Sequence, residues 1–280
     1  MPMIWLAAAL SLVIGVVLGM LGGGGAILAL PMLVYVIGME PKAAIASSLF
    51  VVGATSVVGT TIHARAGNVR WKEGGIFGLA AMAGAFTGGR LAHFVPPTVL
   101  LVLFGIVMVV TAVAMLRGRR ADAAEVRAFR LGRTLVLGAA VGVLSGLVGA
   151  GGGFLIVPAL TLFGGLAMRE GIGTSLFVIG LQSFAGFAGH MNHVTLDWNI
   201  VLAVSGAAVV GSLIGAGLGE RISAARLRTA FAWLVIAMGL FMFERQLPRT
   251  VAIGAAVLTM LAALLALRSN RTALVEGTSQ

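Results

Sequence analysis

Long apolar segments separated by short polar stretches run through almost the whole chain. Their approximate limits are residues 4–21, 26–38, 43–63, 74–94, 98–116, 133–148, 153–166, 171–190, 199–219, 229–243 and 250–267. Most of them approach the ~20 residues that a helix needs to span a bilayer. Two are shorter, 26–38 and 153–166, and each follows a cluster of glycines. The pattern predicts an all-α, polytopic membrane protein with short helices broken by glycine.

The composition supports a lipid-facing exterior. Hydrophobic residues make up 59% of the chain and charged residues only 10%, against about 25% charged residues in an average soluble domain. The 41 glycines suit membrane helices, because small residues let helix backbones approach closely. The absence of cysteine excludes disulfides and thiolate chemistry. No Lys or Arg precedes the first apolar run, so we expect a retained helix rather than a cleaved signal peptide.

The sequence contains two copies of one unit. A shift of the numbering by 127 places Pro31 on Pro158, His63 on His190 and Trp71 on Trp198 without a gap, and it aligns two Ser-Leu-Phe-Val segments that begin at Ser48 and Ser175. Apolar composition alone does not match Pro, His and Trp in this way. We therefore divide the chain into a first transmembrane repeat, a basic linker, a second repeat, and an extra helix with a tail, at residues 1–116, 117–132, 133–247 and 248–280.

The net charge of +10 is better explained by membrane topology than by nucleic-acid binding, because the arginines fall between the apolar runs. Arg and Lys mark the loop 64–73 as cytosolic, whereas the equivalent segment 191–198 has neither. Conversely, 220–228 is basic and its counterpart 91–97 is not. The two copies are therefore predicted to lie upside down relative to each other. Such an inverted repeat is typical of transporters.

The two glycine clusters are the strongest candidates for binding. Each opens a short helix, and with inverted copies the two turns approach the midplane from opposite sides. Unpaired N–H groups and the helix dipole favour an anion at such a helix start, and glycine lets the anion reach the backbone. The alternative is that these glycines serve only close helix packing. The glycines predicted to bind substrate are Gly22, Gly23, Gly24, Gly25, Gly149, Gly151, Gly152 and Gly153.

Paired hydroxyls follow the turns in both copies. Ser47 and Ser48 in the first copy match Thr174 and Ser175 in the second, and such hydroxyls can donate to oxyanion oxygens. The alternative is that they bond back to their own helices. Gln182 lies further along the second of these helices, and a buried amide needs partners, so it is added to the predicted substrate site.

Histidines close the two equivalent helices. His63 and His190 are either solvated helix ends or a possible gate or proton relay, since histidine titrates near neutral pH. The apolar runs carry no carboxylate at mid-depth, whereas cation and proton pumps usually place an acidic group there. The substrate is therefore expected to be an anion rather than a metal cation. Neither a phosphate-binding loop nor a cofactor motif is present, so no cofactor, metal or ATPase activity is expected.

At these motifs the sequence resembles the sulfite exporter TauE/SafE family of membrane permeases. The first copy carries the resemblance from Gly19 through Pro31 to Leu49, and the second from Gly146 to Leu176. The resemblance covers Gly15 to about Phe243. It implies export or uptake of a sulfur-containing oxyanion such as sulfite or an organosulfonate. The run at 250–267 lies outside it.

We therefore expect a secondary transporter of a small oxyanion, not an enzyme, in the cell membrane, with alternating access between inverted repeats. The linker 117–132 and the C-terminal tail are expected in the cytosol. The expected partners are the anionic substrate and the lipid bilayer. Two alternatives remain at this point: a passive anion channel with the same lining, and an intramembrane enzyme acting on a lipid-linked phosphate. The second would need ionisable residues gathered in one pocket.

Overall fold

The computed structural model describes residues 2–21, 28–116, 131–149, 152, 156–157, 160, 166, 168–219 and 224–276. Within these ranges every regular element is helical. In chain order the helices are α1 (Pro2–Leu21), α2 (Ala29–Pro31, continued by a π-helical turn, Met32–Val36), α3 (Pro41–Arg65), α4 (Trp71–Leu91, followed by the 3-10 turn Ala92–Phe94), α5 (Pro97–Leu116), α6 (Leu131–Val148), α7 (Met168–Met191), α8 (Trp198–Gly219), α9 (Ala224–Gln246) and α10 (Arg249–Glu276).

Local sequence signals explain where the long helices begin and end. The Glu40 carboxylate caps α3 by accepting a hydrogen bond from the Ala43 N–H at 3.0 Å, and Pro41 occupies the first turn, where its missing N–H costs nothing. Gly67 follows the end of α3 with φ +71°, a left-handed conformation that favours glycine. The Asp197 carboxylate caps α8 by accepting from the Asn199 N–H at 3.0 Å.

The helix boundaries repeat with the same shift of 127 residues that relates the two sequence copies. Helices α1, α3, α4 and α5 correspond to α6, α7, α8 and α9, and their limits differ by only a few residues after the shift. The short helix α2 corresponds to the helical residues Ile156 and Val157. Together α2 and its π-helical turn span eight residues, about 12 Å, well short of the ~30 Å hydrocarbon core.

The exterior is apolar. Among the described residues, three helical segments are long and apolar enough to cross a membrane by length and composition: Pro41–Arg65, Glu170–Met191 and Trp198–Gly215. Large hydrophobic side chains are exposed along α4, α8 and α10, including Leu79, Leu202 and Leu258. Water would penalise such a surface, whereas a bilayer does not. The protein is an all-helical membrane protein, as the apolar runs predict.

Contacts between Cα atoms divide the chain into two compact units. The first unit contains α1–α4 and α6–α8, together with the start of α5 up to Leu100. The second unit contains the rest of α5, α9 and α10. Each unit therefore takes helices from both sequence copies.

In the first unit, glycines join helices of different copies. A Cβ added to Gly15 or Gly19 of α1 would overlap the carbonyl oxygen of Ala208 or Ser212 in α8. The repeat-related pair behaves identically, because a Cβ on Gly142 or Gly146 of α6 would overlap the carbonyl oxygen of Ala81 or Ala85 in α4. In both pairs the contacts advance in the same direction along the two helices. Helix α1 thus runs parallel to α8, and α6 runs parallel to α4.

Helices α3 and α7 cross at the centre of the first unit and run antiparallel. A Cβ on Gly59 would contact the side chain of Leu176 at 3.1 Å, whereas a Cβ on Gly186 would contact Leu49 at 3.3 Å. One hydrophobic cluster surrounds the crossing, and it includes repeat-related residues from both copies: Ala29 with Ile156, and Val52 with Ile179. The two short helical segments, represented by Ala29 and Ile156, therefore reach the same core.

The second unit is held by α5 and α9, which are also repeat-related. A Cβ on Gly105 would lie 2.7 Å from the ring of Phe243, and one on Gly239 would lie 3.1 Å from the side chain of Val109. These contacts advance in opposite directions, so the two helices are antiparallel.

Candidate functional site

The glycine turn of the second copy lies beside the crossing of α3 and α7. Gly149 ends α6, donating its N–H to the Ser145 carbonyl at 2.9 Å, and it has φ +72°. Gly152 has φ +66°, and its carbonyl accepts from the Ile156 N–H at 3.0 Å, which is the hydrogen-bond pattern of a helix that begins there. The predicted site residues Gly22, Gly23, Gly24, Gly25, Gly151 and Gly153 lie outside the described residues.

Ser48 connects the first copy to this turn. Its hydroxyl lies 2.9 Å from the Gly149 carbonyl and 2.8 Å from the Ile45 carbonyl of its own helix. The bond to Ile45 is the predicted alternative in which the hydroxyl bonds back to its own helix, and the contact with Gly149 joins α3 to the glycine turn. The geometry places the second turn of α3 against the end of α6, where the glycine turn begins.

Gln182 approaches the same turn from α7. Its side chain is fully buried, and its amide nitrogen donates to the Ser145 hydroxyl at 3.2 Å. A Cβ on Gly152 would overlap that amide nitrogen, so alanine at this position would displace the Gln182 amide. Ser48, Gly149, Gly152 and Gln182 are thus four predicted site residues that the structure brings together.

Two further hydroxyls at the crossing occupy repeat-related positions. Ser56 of α3 and Ser183 of α7 are fully buried, and neither hydroxyl has a hydrogen-bond partner among the described residues. Ser56 lies against the backbone of Gly180, and Ser183 directly follows Gln182 in the chain. Ser47, a predicted site residue, is likewise buried without a described partner. Burying a hydroxyl without a partner is unfavourable, so these groups are available to a polar ligand.

The other predicted hydroxyls lie elsewhere. Thr174 accepts a hydrogen bond from the Arg70 N–H at 2.9 Å, which places it at the start of α4. It is eight residues from Gln182, about 12 Å along α7. Ser175 donates to the Ile172 carbonyl of its own helix at 2.7 Å. Neither residue joins the cluster around the second glycine turn.

The structure separates the two predicted gate histidines. His63 lies beside Gly173 at the beginning of α7, whereas His190 lies seventeen residues further along that helix, about 25 Å away. His63 is half-buried, and His190 is only 3% exposed. The two rings therefore occupy opposite ends of the α3–α7 pair, in different surroundings.

The model of the sulfite exporter TauE/SafE family matches residues 7–242, which is nearly the whole region occupied by the two repeats. The chain belongs to this family. The resemblance seen in the glycine motifs is thereby confirmed, and the extra helix α10 lies beyond the matched region. No solved structure matches the chain.

Relatives of this TauE/SafE member are named as transporters. A probable membrane transporter protein of Xylella fastidiosa is 35% identical over 244 residues, covering 83% of this chain and 92% of the relative. A probable membrane transporter protein of Methanocaldococcus jannaschii is 28% identical, covering 83% of this chain and 94% of the relative. The protein is therefore a membrane transporter and not an enzyme.

Sequence reasoning missed part of the site of this TauE/SafE protein. Ser145 holds the Gln182 amide, yet its counterpart in the first copy is Leu18, so the repeat gives no signal for it. Ser56 and Ser183 do match each other under the shift, and that coincidence could have identified both. No group of three or more His, Cys, Asp or Glu residues suited to a metal ion occurs in the described ranges.

Proposed function

We propose that this protein is a secondary transporter that carries a small oxyanion, such as sulfite or an organosulfonate, across the cell membrane. The central site is the crossing of α3 and α7 beside the second glycine turn. The observation that carries the proposal is the pair of repeat-related hydroxyls, Ser56 and Ser183, which are buried there without described partners. A bundle in lipid offers no water to such groups, so a polar substrate is the natural partner.

The chemistry of this site suits an anion held by neutral donors. Ser48, Ser145 and the Gln182 amide lie at the turn, whereas Ser56 and Ser183 are buried further along the α3–α7 pair. None of these five side chains carries a charge. Gly152 opens the second short helix, whose positive dipole end favours negative charge. Neutral donors bind an oxyanion firmly enough for selection but weakly enough for release, which a carrier requires.

Alternating access between inverted repeats is the mechanism that we propose. The antiparallel packing of the repeat-related pairs α3–α7 and α5–α9 supports the inversion, as does the swap of basic loops between the copies. The positive-inside rule then places four segments in the cytosol: 64–73, 117–132, 220–228 and the C-terminal tail. Segment 191–198 faces outward. The two copies would then rock about the central site.

The direct test is transport of sulfite into proteoliposomes by the wild type and by a Ser56→Ala, Ser183→Ala variant. Each lost hydrogen bond to the charged oxyanion is worth about 1.5–3 kcal/mol, so KM should rise roughly 13- to 160-fold per serine. The melting temperature should stay constant or rise, because unpartnered buried hydroxyls cost stability. Thr61→Ala on the exposed side of α3 is the matched control.

Other outcomes separate the alternatives. Saturable uptake with counterflow identifies a carrier, whereas flux that rises linearly with concentration and shows no counterflow identifies a channel. The proposal is wrong if wild-type vesicles take up sulfite, taurine, sulfoacetate, sulfate and phosphate no faster than protein-free vesicles. An unchanged KM in the double serine variant would instead place the substrate elsewhere in the protein.

A further inference from the structure

Charged side chains are confined to the ends of the helices that surround the crossing of α3 and α7. In helices α1 to α8 every Asp, Glu, Lys and Arg belongs to the first or last turn. These residues are Lys42, Arg65, Lys72, Glu73, Arg90, Arg133, Arg169 and Glu170, and the caps Glu40 and Asp197 lie just outside the helices. The segments of the two glycine turns, 22–27 and 149–167, contain no charged residue in the sequence. The amino-acid sequence therefore places no fixed charge at the level of the crossing.

The hydroxyls of Ser56 and Ser183 lie well away from these charges. Ser56 is nine residues from Arg65, about 13 Å along α3. Ser183 is thirteen residues from Glu170, about 20 Å along α7. Both serine side chains are fully buried, and neither hydroxyl has a partner among the described residues. The two hydroxyls can therefore donate to an anion, but no charged side chain of α3 or α7 lies close enough to neutralise it.

The two serines lie at levels that suit a single small head group. The contacts of Gly59 and Gly186 described above fix the register of the antiparallel pair. This register sets Ser183 opposite Val52, four residues before Ser56, which is about 6 Å along α3. A sulfonate group that accepts a hydrogen bond of about 2.7 Å on either side covers such a span.

The walls around these hydroxyls are apolar. Val52 and Ile179 each precede one of the serines by a helical turn, and both belong to a buried cluster with Phe77 and Ala81 of α4. The cost of moving an ion out of water rises with the square of its charge, so a dianion costs about four times as much as a monoanion of the same size. Neutral hydroxyls offset only part of this cost. An uncharged site with apolar walls therefore favours a single negative charge.

We propose that the crossing selects oxyanions by charge. It accepts the singly charged form, such as a sulfonate or hydrogen sulfite, and rejects dianions such as sulfate and the doubly charged form of sulfite. This inference rests on the proposed function, because it names the charge of the substrate at the same site. Ser56 and Ser183 bind the head group, and the uncharged surroundings discriminate against the second charge.

The pH dependence of uptake into proteoliposomes is the first test. Sulfite exchanges between its singly and doubly charged forms near neutral pH, whereas methanesulfonate keeps one charge. The KM for total sulfite should rise about tenfold for each pH unit above the pKa of hydrogen sulfite, while the KM for methanesulfonate stays constant. Methanesulfonate is a necessary control because His63 and His190 can titrate between about pH 5 and 8. A sulfite KM that does not change with pH, or a parallel change in both KM values, would overturn the proposal.

Competition between anions is the second test. Sulfate and methanesulfonate differ in charge but both present oxygens on a tetrahedral sulfur. Sulfate should inhibit sulfite uptake at least about 100-fold more weakly than methanesulfonate at equal ionic strength. Inhibition by methanesulfonate should weaken by at least about 100-fold in the Ser56→Ala, Ser183→Ala variant and remain unchanged in Thr61→Ala. Equal inhibition of the wild type by the two anions would show that charge is not selected.

Thermal unfolding of the purified protein separates this inference from the carrier function. Methanesulfonate should raise the melting temperature of the wild type, because a ligand that binds only the folded protein stabilises it, and this shift should disappear in the double serine variant. Sulfate stabilises proteins generally, so its effect should be the same in both proteins. If methanesulfonate binds in this way but vesicles take up no anion, charge selection stands and the carrier function falls. If vesicles take up sulfite and sulfate with similar KM values, the carrier function stands and charge selection is wrong.

Discussion

Arg70 and Glu170 form an ion pair with a nitrogen–oxygen distance of 2.8 Å. It links the start of α4 to the start of α7, and the Arg70 N–H also donates to Thr174. Hydrogen bonding to Glu170 raises the pKa of the Arg70 guanidinium. The repeat-related positions are Asp197 and Ala43, which cannot form such a pair. The ion pair therefore links the two copies at one end of the first unit, whereas the equivalent positions at the other end cannot form it.

Cross-linking this pair should stop transport. Alternating access requires each end of the carrier to open in turn, so a covalent bridge between Arg70→Cys and Glu170→Cys should abolish uptake. The chain has no native cysteine, so a short thiol-specific cross-linker that contains a disulfide reacts only there. Reduction should restore the flux, and each single-cysteine variant treated identically serves as a control. Full activity of the bridged protein would show that this end does not open during the cycle.

Gly152→Ala should impair substrate binding, whereas Gly67→Ala should not. Both glycines have positive φ, +66° and +71°, so alanine costs a similar strain of about 1–2 kcal/mol at either position. The added Cβ at Gly152 also overlaps the Gln182 amide, while the Cβ at Gly67 meets no atom within 4 Å. KM for sulfite and the melting temperature, measured per folded molecule, separate the two effects. Equal KM values in the two variants would remove the turn from the site.

Membrane topology is open to a labelling test. Single cysteines at Asn68 and Asn192 should react with a membrane-impermeant maleimide from opposite sides of the membrane, because the first lies in the basic segment 64–73 and the second in the uncharged part of 191–198. Intact cells and inverted vesicles give the two readings. Labelling of both positions from the same side would refute the inverted arrangement of the two copies.

The packing glycines should respond to alanine very differently from glycines in open positions. In α4 a Cβ on Gly84 overlaps the Ala139 carbonyl of α6, whereas one on Gly75 meets nothing within 4 Å. Because α6 must then shift, Gly84→Ala should destabilise the protein by about 1–3 kcal/mol, while Gly75→Ala should be neutral or stabilising. Gly211 and Gly206 in α8 form the equivalent comparison. Thermal unfolding in detergent measures both pairs, and similar melting temperatures would contradict the packing described above.

Much of the fold was predictable because bilayer thickness constrains helix length. The apolar run 43–63 predicts a helix that the structure places at Pro41–Arg65, and 171–190 predicts one at Met168–Met191. The helices extend a few residues beyond the apolar runs, because they continue to polar residues such as the cap Glu40, which do not belong to an apolar run. Which helices pack together was harder to predict. The helix that packs against a glycine-rich face is determined by the topology of the whole protein and not by the local sequence.

The candidate site was predicted only in part. Hydroxyls that adjoin in sequence point to different places on a helix, because successive residues differ by about 100° around its axis. Thr174 accepts a hydrogen bond at the start of α4, whereas the adjacent Ser175 donates to the Ile172 carbonyl of its own helix. The repeat also implies equal roles for His63 and His190, yet His93 and His193, which stack near His190, have no basic or histidine counterpart in the other copy.

The pairing of α1 with α8 has a consequence for how the protein is made. Helix α1 leaves the ribosome about 200 residues before α8, a delay of roughly 10–40 s at ordinary synthesis rates. During that interval α8 has not yet been made. Gly15 and Gly19 of α1 therefore have no helix to pack against and remain exposed to the lipid. A newly made first half is therefore a natural client for the insertion machinery or for an intramembrane chaperone.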